Sequence, residues 1–129
     1  MAQRQSPALP GGLPHCLKKR RLLNEKEVSR EACRGLGEKF LAAGFWEDAL
    51  EFFQRDGLQE GLKKLEAQAL EEGDAYLLGR LGVKDREVWA RLARRALELG
   101  KRHFACKAFK EAGDEARAEE LARRLKEEF

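Results

Sequence analysis

The sequence predicts an all-α protein, and three observations support this class. Its 129 residues contain neither isoleucine nor threonine, and Val28, Val83 and Val88 are the only β-branched residues. Leucine, alanine, glutamate, lysine and arginine are abundant, and these residues favour helices over strands. Between successive glycines, apolar residues recur at the period of an amphipathic helix. A chain of this length can bury one modest core.

Helix caps and glycines place seven helices along the chain. Asn24 and Glu27 have the spacing of a capping box, which predicts the start of the first helix, and Gly44 ends it. Asp74 precedes a later helix as its N-cap residue, and Asp85 precedes another. The predicted helices cover residues 25–43, 46–56, 58–72, 75–81, 86–99, 102–112 and 114–129.

The N-terminal segment differs from the rest of the chain in composition. All three prolines lie within residues 1–14, and residues 1–30 contain seven basic side chains against two acidic ones. We therefore expect residues 1–23 to be a basic, flexible arm, followed by a helical-repeat domain over 24–129. Proline and glycine interrupt the longest uncharged stretch, so neither a signal peptide nor a membrane span is expected. The three cysteines form no CxxC pair, which favours reduced thiols and a cytoplasmic location.

An internal repeat runs through the helical region. When residues 30–63 are laid over 86–119, the turn glycines coincide, as Gly44 does with Gly100. A shorter unit around Gly73 lies between the two copies. Such self-similarity is typical of stacked supersecondary units, none of which buries its apolar face alone. The sequence therefore predicts three helix hairpins in a row.

Large, small and aromatic residues recur at regular spacing in both copies. They are Leu36, Gly37, Phe40, Gly44, Ala49 and Phe53 in the earlier copy and Trp89, Leu92, Ala93, Gly100, Ala105, Phe109 and Ala112 in the later one. Over residues 30–125 this spacing resembles that of tetratricopeptide-repeat-like helical-hairpin proteins, which are α-solenoids. The resemblance implies a right-handed stack of about three antiparallel helix hairpins, a tetratricopeptide-like α-α superhelix. The chain departs from the family pattern at Cys33, Gly61, Ala96 and Arg117.

The resemblance also implies a function. The first helix of each hairpin would contribute to a concave surface that holds an extended peptide or a partner helix. We therefore expect a non-enzymatic protein-protein interaction module, an adaptor or scaffold. Exposed arginines one turn apart would suit an acidic peptide or a C-terminal carboxylate, because each guanidinium offers a fork of donors. The outward residues predicted to contact the partner are Arg30, Arg34, Glu38, Arg91, Arg94 and Glu98.

Nucleic acid is the alternative partner. A compact basic run could bind phosphates, which would make this a nucleic-acid-associated protein. No aromatic residue is interleaved with the run, so a solubilising arm is the simpler interpretation. The run consists of Lys18, Lys19, Arg20 and Arg21.

A second copy of the chain is a further partner to consider. Phe45, Trp46 and Phe52 give more aromatic surface than one hairpin can bury. These side chains pack against the middle unit, or they form an exposed patch that seats another protein or another copy.

The sequence offers little for catalysis or metal binding. Ser6 and Ser29 are the only aliphatic hydroxyls, so an enzyme would have few nucleophiles. His103 and Cys106 lie one turn apart on a predicted helix, but no second pair of ligands has matching spacing. We therefore predict no catalytic residue, no metal site and no cofactor.

Overall fold

The described part of the chain is mainly helical. The computed structural model describes residues 14, 16–24 and 29–127, and every regular element within them is an α-helix, which confirms the all-α class. The eight helices in this part of the chain are α1 (Cys16–Asn24), α2 (Arg30–Ala42), α3 (Trp46–Arg55), α4 (Gln59–Glu72), α5 (Ala75–Arg80), α6 (Arg86–Glu98), α7 (Arg102–Glu111) and α8 (Glu115–Glu127).

The start of α2 differs from the prediction. The helix begins at Arg30, and the Ser29 side chain caps it by accepting a hydrogen bond of 3.0 Å from the Ala32 backbone N–H. Asn24 belongs to α1 instead, and Glu27 of the predicted capping box lies outside the described residues. The helices α3 to α8 begin and end within one residue of the predicted bounds, up to the last described residue.

The internal repeat is present as local structure. The Phe45 N–H donates to the carbonyl of Phe40 at 2.9 Å, and, 56 residues later, the Lys101 N–H donates to the carbonyl of Ala96 at 2.8 Å. A glycine in the left-handed region precedes each donor, so α2 and α6 both end in a Schellman motif. The motif turns the chain sharply, and α2 packs on α3 as α6 packs on α7.

The chain divides into two compact units, residues 1–63 and 64–129. In the first unit, α3 packs against α2 and α1. The buried Phe52 ring stacks on Phe40 with 5.5 Å between centroids, and Phe45 meets Phe40 edge-on at 6.4 Å. Trp46 is half-buried. Phe45 and Phe52 therefore find their packing partner on α2.

Two glycines make room for one buried ring in the first unit. A Cβ on Gly37 of α2 would lie 2.4 Å from the Phe53 ring, and a Cβ on Gly61 of α4 would also lie 2.4 Å from it. Phe53 itself is fully buried. The absence of both side chains thus lets α2 and the start of α4 approach the same ring.

In the second unit, α7 packs against α5, α6 and α8. Trp89 is buried, and its Nε1–H donates to the Val83 carbonyl at 2.8 Å. Phe109 occupies the position that Phe53 has in the first unit, and the Arg117 guanidinium lies 5.7 Å from its ring centroid. A cation therefore covers Phe109 at the repeat position that Gly61 occupies beside Phe53.

Candidate functional site

A cleft in the first unit brings three of the predicted partner-contacting residues together. It has a volume of about 450 Å³ and lies between the outward face of α2 and the start of α4. We call it the first cleft. Its α2 wall contains Arg30, Arg34 and Glu38, which the sequence predicted, together with Glu31. The other wall consists of Leu58, Gln59, Glu60 and Gly61.

The α2 wall follows from helical periodicity. Arg30, Arg34 and Glu38 are four residues apart and therefore share one face of α2. Cys33 and Gly37 are buried on the neighbouring side of α2, so this face lies at the border between the core and solvent. At a rise of about 1.5 Å per residue, Arg30 and Glu38 are about 12 Å apart along the helix axis.

The N-terminal end of this wall is cationic. Arg30 is exposed, and no ion pair joins it to another described residue. Arg34 Nη2 lies 3.4 Å from Glu31 Oε1, with both side chains exposed. An exposed pair of this kind is worth little, so Arg34 can exchange Glu31 for an incoming carboxylate at small cost. We call Arg30 and Arg34 the cationic end of the first cleft.

The other end is acidic. Gly37 and Gly61 both adjoin the Phe53 ring, so the residues next to them in sequence, Glu38 and Glu60, lie at the same end of the first cleft. We call Glu38 and Glu60 the acidic end. The first cleft therefore has both of its arginines at one end, where Glu31 pairs with Arg34, and Glu38 and Glu60 at the other, with Leu58, Gln59 and Gly61 as its uncharged part.

Sequence reasoning missed the α4 wall. Gly61 was noted only because it replaces the closing proline of the family pattern. Its role depends on the close approach of Phe53, which no local pattern reveals. Glu60 and Gln59 are common residues for a helix start, and nothing in their spacing points to α2.

A buried thiol lies on the inner side of α2. Cys33 is fully buried, and its Sγ accepts a hydrogen bond of 2.8 Å from Arg55 Nη1. Burial raises the pKa of the Cys33 thiol, and this effect outweighs the opposing hydrogen bond from Arg55. The neighbouring Asp56 carboxylate, 3.6 Å from Arg55, acts in the same direction as burial. The thiol is thus protonated at neutral pH and is a packing group, not a nucleophile.

The three partner-contacting residues predicted on α6 belong to the second unit. Arg91, Arg94 and Glu98 are all exposed. Glu98 Oε2 accepts a hydrogen bond of 3.1 Å from Arg95 Nη1. Among the described residues, neither Arg91 nor Arg94 forms an ion pair. Their role in partner binding stays a prediction.

The basic run predicted to contact phosphates lies on α1, and the structure separates its members. Lys18, Arg20 and Arg21 are exposed. The Lys19 side chain is only 15% exposed, and its Nζ pairs with Asp48 and, at 3.1 Å, with Glu51 of α3. Lys19 therefore ties α1 to α3, and only three members of the run face solvent.

Burial is the largest single effect on the pKa of Lys19 and lowers it. The hydrogen bonds and charges of Asp48 and Glu51 together outweigh burial, so the pKa is raised. A raised pKa means that the folded state binds this proton more tightly than the unfolded state. The resulting stability is fully present at neutral pH and is lost as the pH rises past the ordinary lysine value of 10.5.

We expect Lys19→Met to weaken the packing of α1 on α3 by about 0.5–1.5 kcal/mol, because the substitution leaves two carboxylates without their cation. Amide hydrogen exchange of α1, followed by mass spectrometry, measures this change directly. Lys18→Met removes an exposed lysine from the same helix and serves as the control. Equal rates of amide exchange in α1 of the two variants would contradict the role assigned to Lys19.

His103 and Cys106, the pair considered and not predicted as metal ligands, lie on different sides of α7 with respect to solvent. The Cys106 thiol is buried and donates to the Ala118 carbonyl at 3.3 Å, whereas His103 is exposed. Across the described ranges, no three histidine, cysteine or acidic side chains come together as metal ligands would. Within the same ranges, no helix combines the length and the apolar character that crossing a lipid bilayer requires.

Comparisons with known proteins found no relative of this chain. No protein-family model, no curated protein and no solved structure matches the chain.

Proposed function

We propose that this protein is a non-enzymatic interaction module that binds an extended peptide in the first cleft. The observation that carries the proposal is the charge arrangement: on the α2 wall, Arg30 of the cationic end and Glu38 of the acidic end are about 12 Å apart along the helix axis. The matching Schellman turns of α2 and α6 support a helical-repeat architecture of the tetratricopeptide-like kind. The right-handed stack of three hairpins and a cytoplasmic location belong to the same proposal.

The charges of the first cleft specify the peptide. Its acidic residue pairs with Arg30 and Arg34, and its basic residue pairs with Glu38 and Glu60. An extended chain advances about 3.3 Å per residue, so 12 Å corresponds to about four positions. Residues four positions apart in an extended chain point the same way, so both side chains can face α2. The expected ligand is thus a peptide with one acidic and one basic residue about four positions apart.

A defined peptide tests this proposal. The probe is a short fluorescein-labelled peptide of alanine and serine with one glutamate and one lysine about four positions apart. Fluorescence anisotropy is measured as full-length protein is added. We expect Arg30→Glu combined with Arg34→Glu to weaken binding at least about fivefold, because the cationic end becomes repulsive. A peptide with glutamine in place of its glutamate should bind the unchanged protein comparably weakly.

A charge change outside the cleft provides the matched control. Lys39→Glu alters an exposed cation on the same helix that does not line the first cleft, and it should leave the affinity unchanged. A peptide with lysine in place of its glutamate should bind the double arginine variant better than it binds the unchanged protein. Equal affinity of the original peptide for the unchanged protein and the double variant would overturn the proposal.

The alternative of a nucleic-acid-associated protein has less support from the predicted basic run. Lys19 is engaged with Asp48 and Glu51, which leaves Lys18, Arg20 and Arg21 as exposed cations on α1. Phosphate contacts through these residues stay a prediction. They would show as binding that weakens steeply with salt, whereas peptide binding in the first cleft should weaken only modestly.

A further inference from the structure

A second cleft, within residues 64–129, combines an exposed aromatic ring with several cations. It has a volume of about 500 Å³ and lies between α5, the loop that follows it, and α7. We call it the second cleft. This volume falls within the roughly 300–1,000 Å³ typical of sites for small ligands. Its lining includes the side chains of Tyr76, Arg80, Lys84, Trp89 and Lys107.

Tyr76 supplies an aromatic surface to the second cleft. Its side chain is 48% exposed, although large apolar groups of this chain are mostly buried. The Arg80 guanidinium lies 6.0 Å from the ring centroid, and its Nη1 donates to Tyr76 Oη at 3.5 Å. A flat ring beside a flat cation provides a surface on which a planar group can stack.

The floor of the second cleft is formed where Gly79 has no side chain. A Cβ at Gly79 would lie 3.8 Å from Lys107 Nζ and 4.0 Å from Trp89 Cη2. The Lys107 ammonium and the edge of the Trp89 ring therefore both adjoin the floor at Gly79. Trp89 is fixed by its hydrogen bond to the Val83 carbonyl, so this part of the floor is rigid.

The charge of the second cleft is positive. Arg80, Lys84 and Lys107 contribute three cations, and Glu111 contributes the opposing carboxylate. Within the described part of the chain, neither Lys84 nor Lys107 forms an ion pair. The cations come from the three elements that line the second cleft, which are α5, the following loop and α7.

We infer that the second cleft binds one nucleotide of a single-stranded nucleic acid. The base stacks on Tyr76 beside Arg80, and the flanking phosphates pair with Lys84 and Lys107. An acidic peptide would satisfy the lysines, but it would cover Tyr76 only if an aromatic residue lay beside its acidic ones, whereas every nucleotide brings a planar base together with a phosphate. A free nucleotide carries its phosphates on one side of the base only, whereas a strand carries them on both. This site is distinct from the first cleft and from the basic run on α1.

The probe for this inference is a short fluorescein-labelled oligonucleotide of adenylates, titrated with full-length protein at several salt concentrations. We expect Tyr76→Leu to weaken binding at least about fivefold, because stacking on an aromatic ring is lost while apolar bulk is kept. Lys84→Gln combined with Lys107→Gln should lower the slope of log Kd against log salt by about 1.4, or about 0.7 for each phosphate contact. Lys110→Gln removes an exposed lysine of α7 outside the second cleft and should change neither quantity.

Three results would overturn the inference. The first is an oligonucleotide affinity that is the same in Tyr76→Leu and the unchanged protein, with the unfolding transition of the variant intact. The second is binding of a free adenine nucleotide without binding of the strand. The third is equal affinity for the strand and for a short oligoglutamate, since the cleft would then recognise charge alone.

Discussion

Replacing Gly37 with alanine is expected to lower the free energy of unfolding of the first unit by about 1–3 kcal/mol, although alanine is the better helix former. The added Cβ would lie 2.4 Å from the Phe53 ring, far closer than carbon atoms can approach. Phe53 is fully buried, and Gly61 meets the same ring, so the ring has no free space into which to move. Either the ring leaves its rotamer or α2 shifts outward, and both cost packing energy.

Gly35 provides the matched control for this change. It lies in the same helix, and a Cβ there would meet nothing within 4 Å. Gly35→Ala should therefore raise the free energy of unfolding by about 0.5–1 kcal/mol through helix propensity alone. Urea denaturation, with amide exchange of α2 and α3 to localise the effect, measures both variants. A stabilising Gly37→Ala would contradict the close packing of α2 on Phe53.

Gly73→Ala is expected to have the larger effect of the two, with a loss of about 2–5 kcal/mol from the second unit. Gly73 has a φ of +62°, a conformation that costs an alanine about 1–2 kcal/mol. Its added Cβ would also lie 2.9 Å from the Cα of Ala96 and 3.1 Å from the Ala96 nitrogen. Both neighbours are backbone atoms, so relief requires α6 itself to move.

Gly100 separates the two contributions at Gly73. It has a similar φ of +75° in the same unit, but a Cβ there would meet nothing within 4 Å. Gly100→Ala should thus cost only the conformational part, about 1–2 kcal/mol. Denaturation followed by the fluorescence of the buried Trp89 compares the two variants, with Trp46 replaced by phenylalanine in both so that Trp89 is the only tryptophan. Equal losses would show that contact with Ala96 adds nothing to the requirement for glycine at position 73.

The sequence predicted helices well because their ends are determined locally. Asp74 and Asp85 cap the helices they precede, as their side chains accept from the Leu77 and Glu87 N–H groups. The start of α2 was predicted wrongly because Asn24 has the sequence spacing of an N-cap residue. The N-cap is Ser29, whose side chain accepts a hydrogen bond from the Ala32 N–H. Asn24 and Ser29 are both residue types that favour the N-cap position, and the sequence alone does not show which of them caps α2.

The candidate sites were predictable in part, for a related reason. Arg30, Arg34 and Glu38 share a face of α2 through spacing alone, so periodicity finds them. The opposing wall at Glu60 and Gly61 depends on tertiary packing around Phe53, which periodicity does not report. The second cleft was missed altogether, because the residues that form it come from separate elements whose apposition depends on the packing of α5 against α7.

The measurement that tests the central claim most directly is a titration of isotope-labelled full-length protein with the glutamate- and lysine-containing peptide, followed by backbone amide chemical shifts. Binding in the first cleft predicts that the largest shifts occur at Arg30, Arg34, Glu60 and Gly61, which line both walls. Arg91 and Arg94 on α6 report on the other predicted contact surface. Shifts confined to α6, or no shifts at saturating peptide, would contradict the proposal that the first cleft is the peptide-binding site.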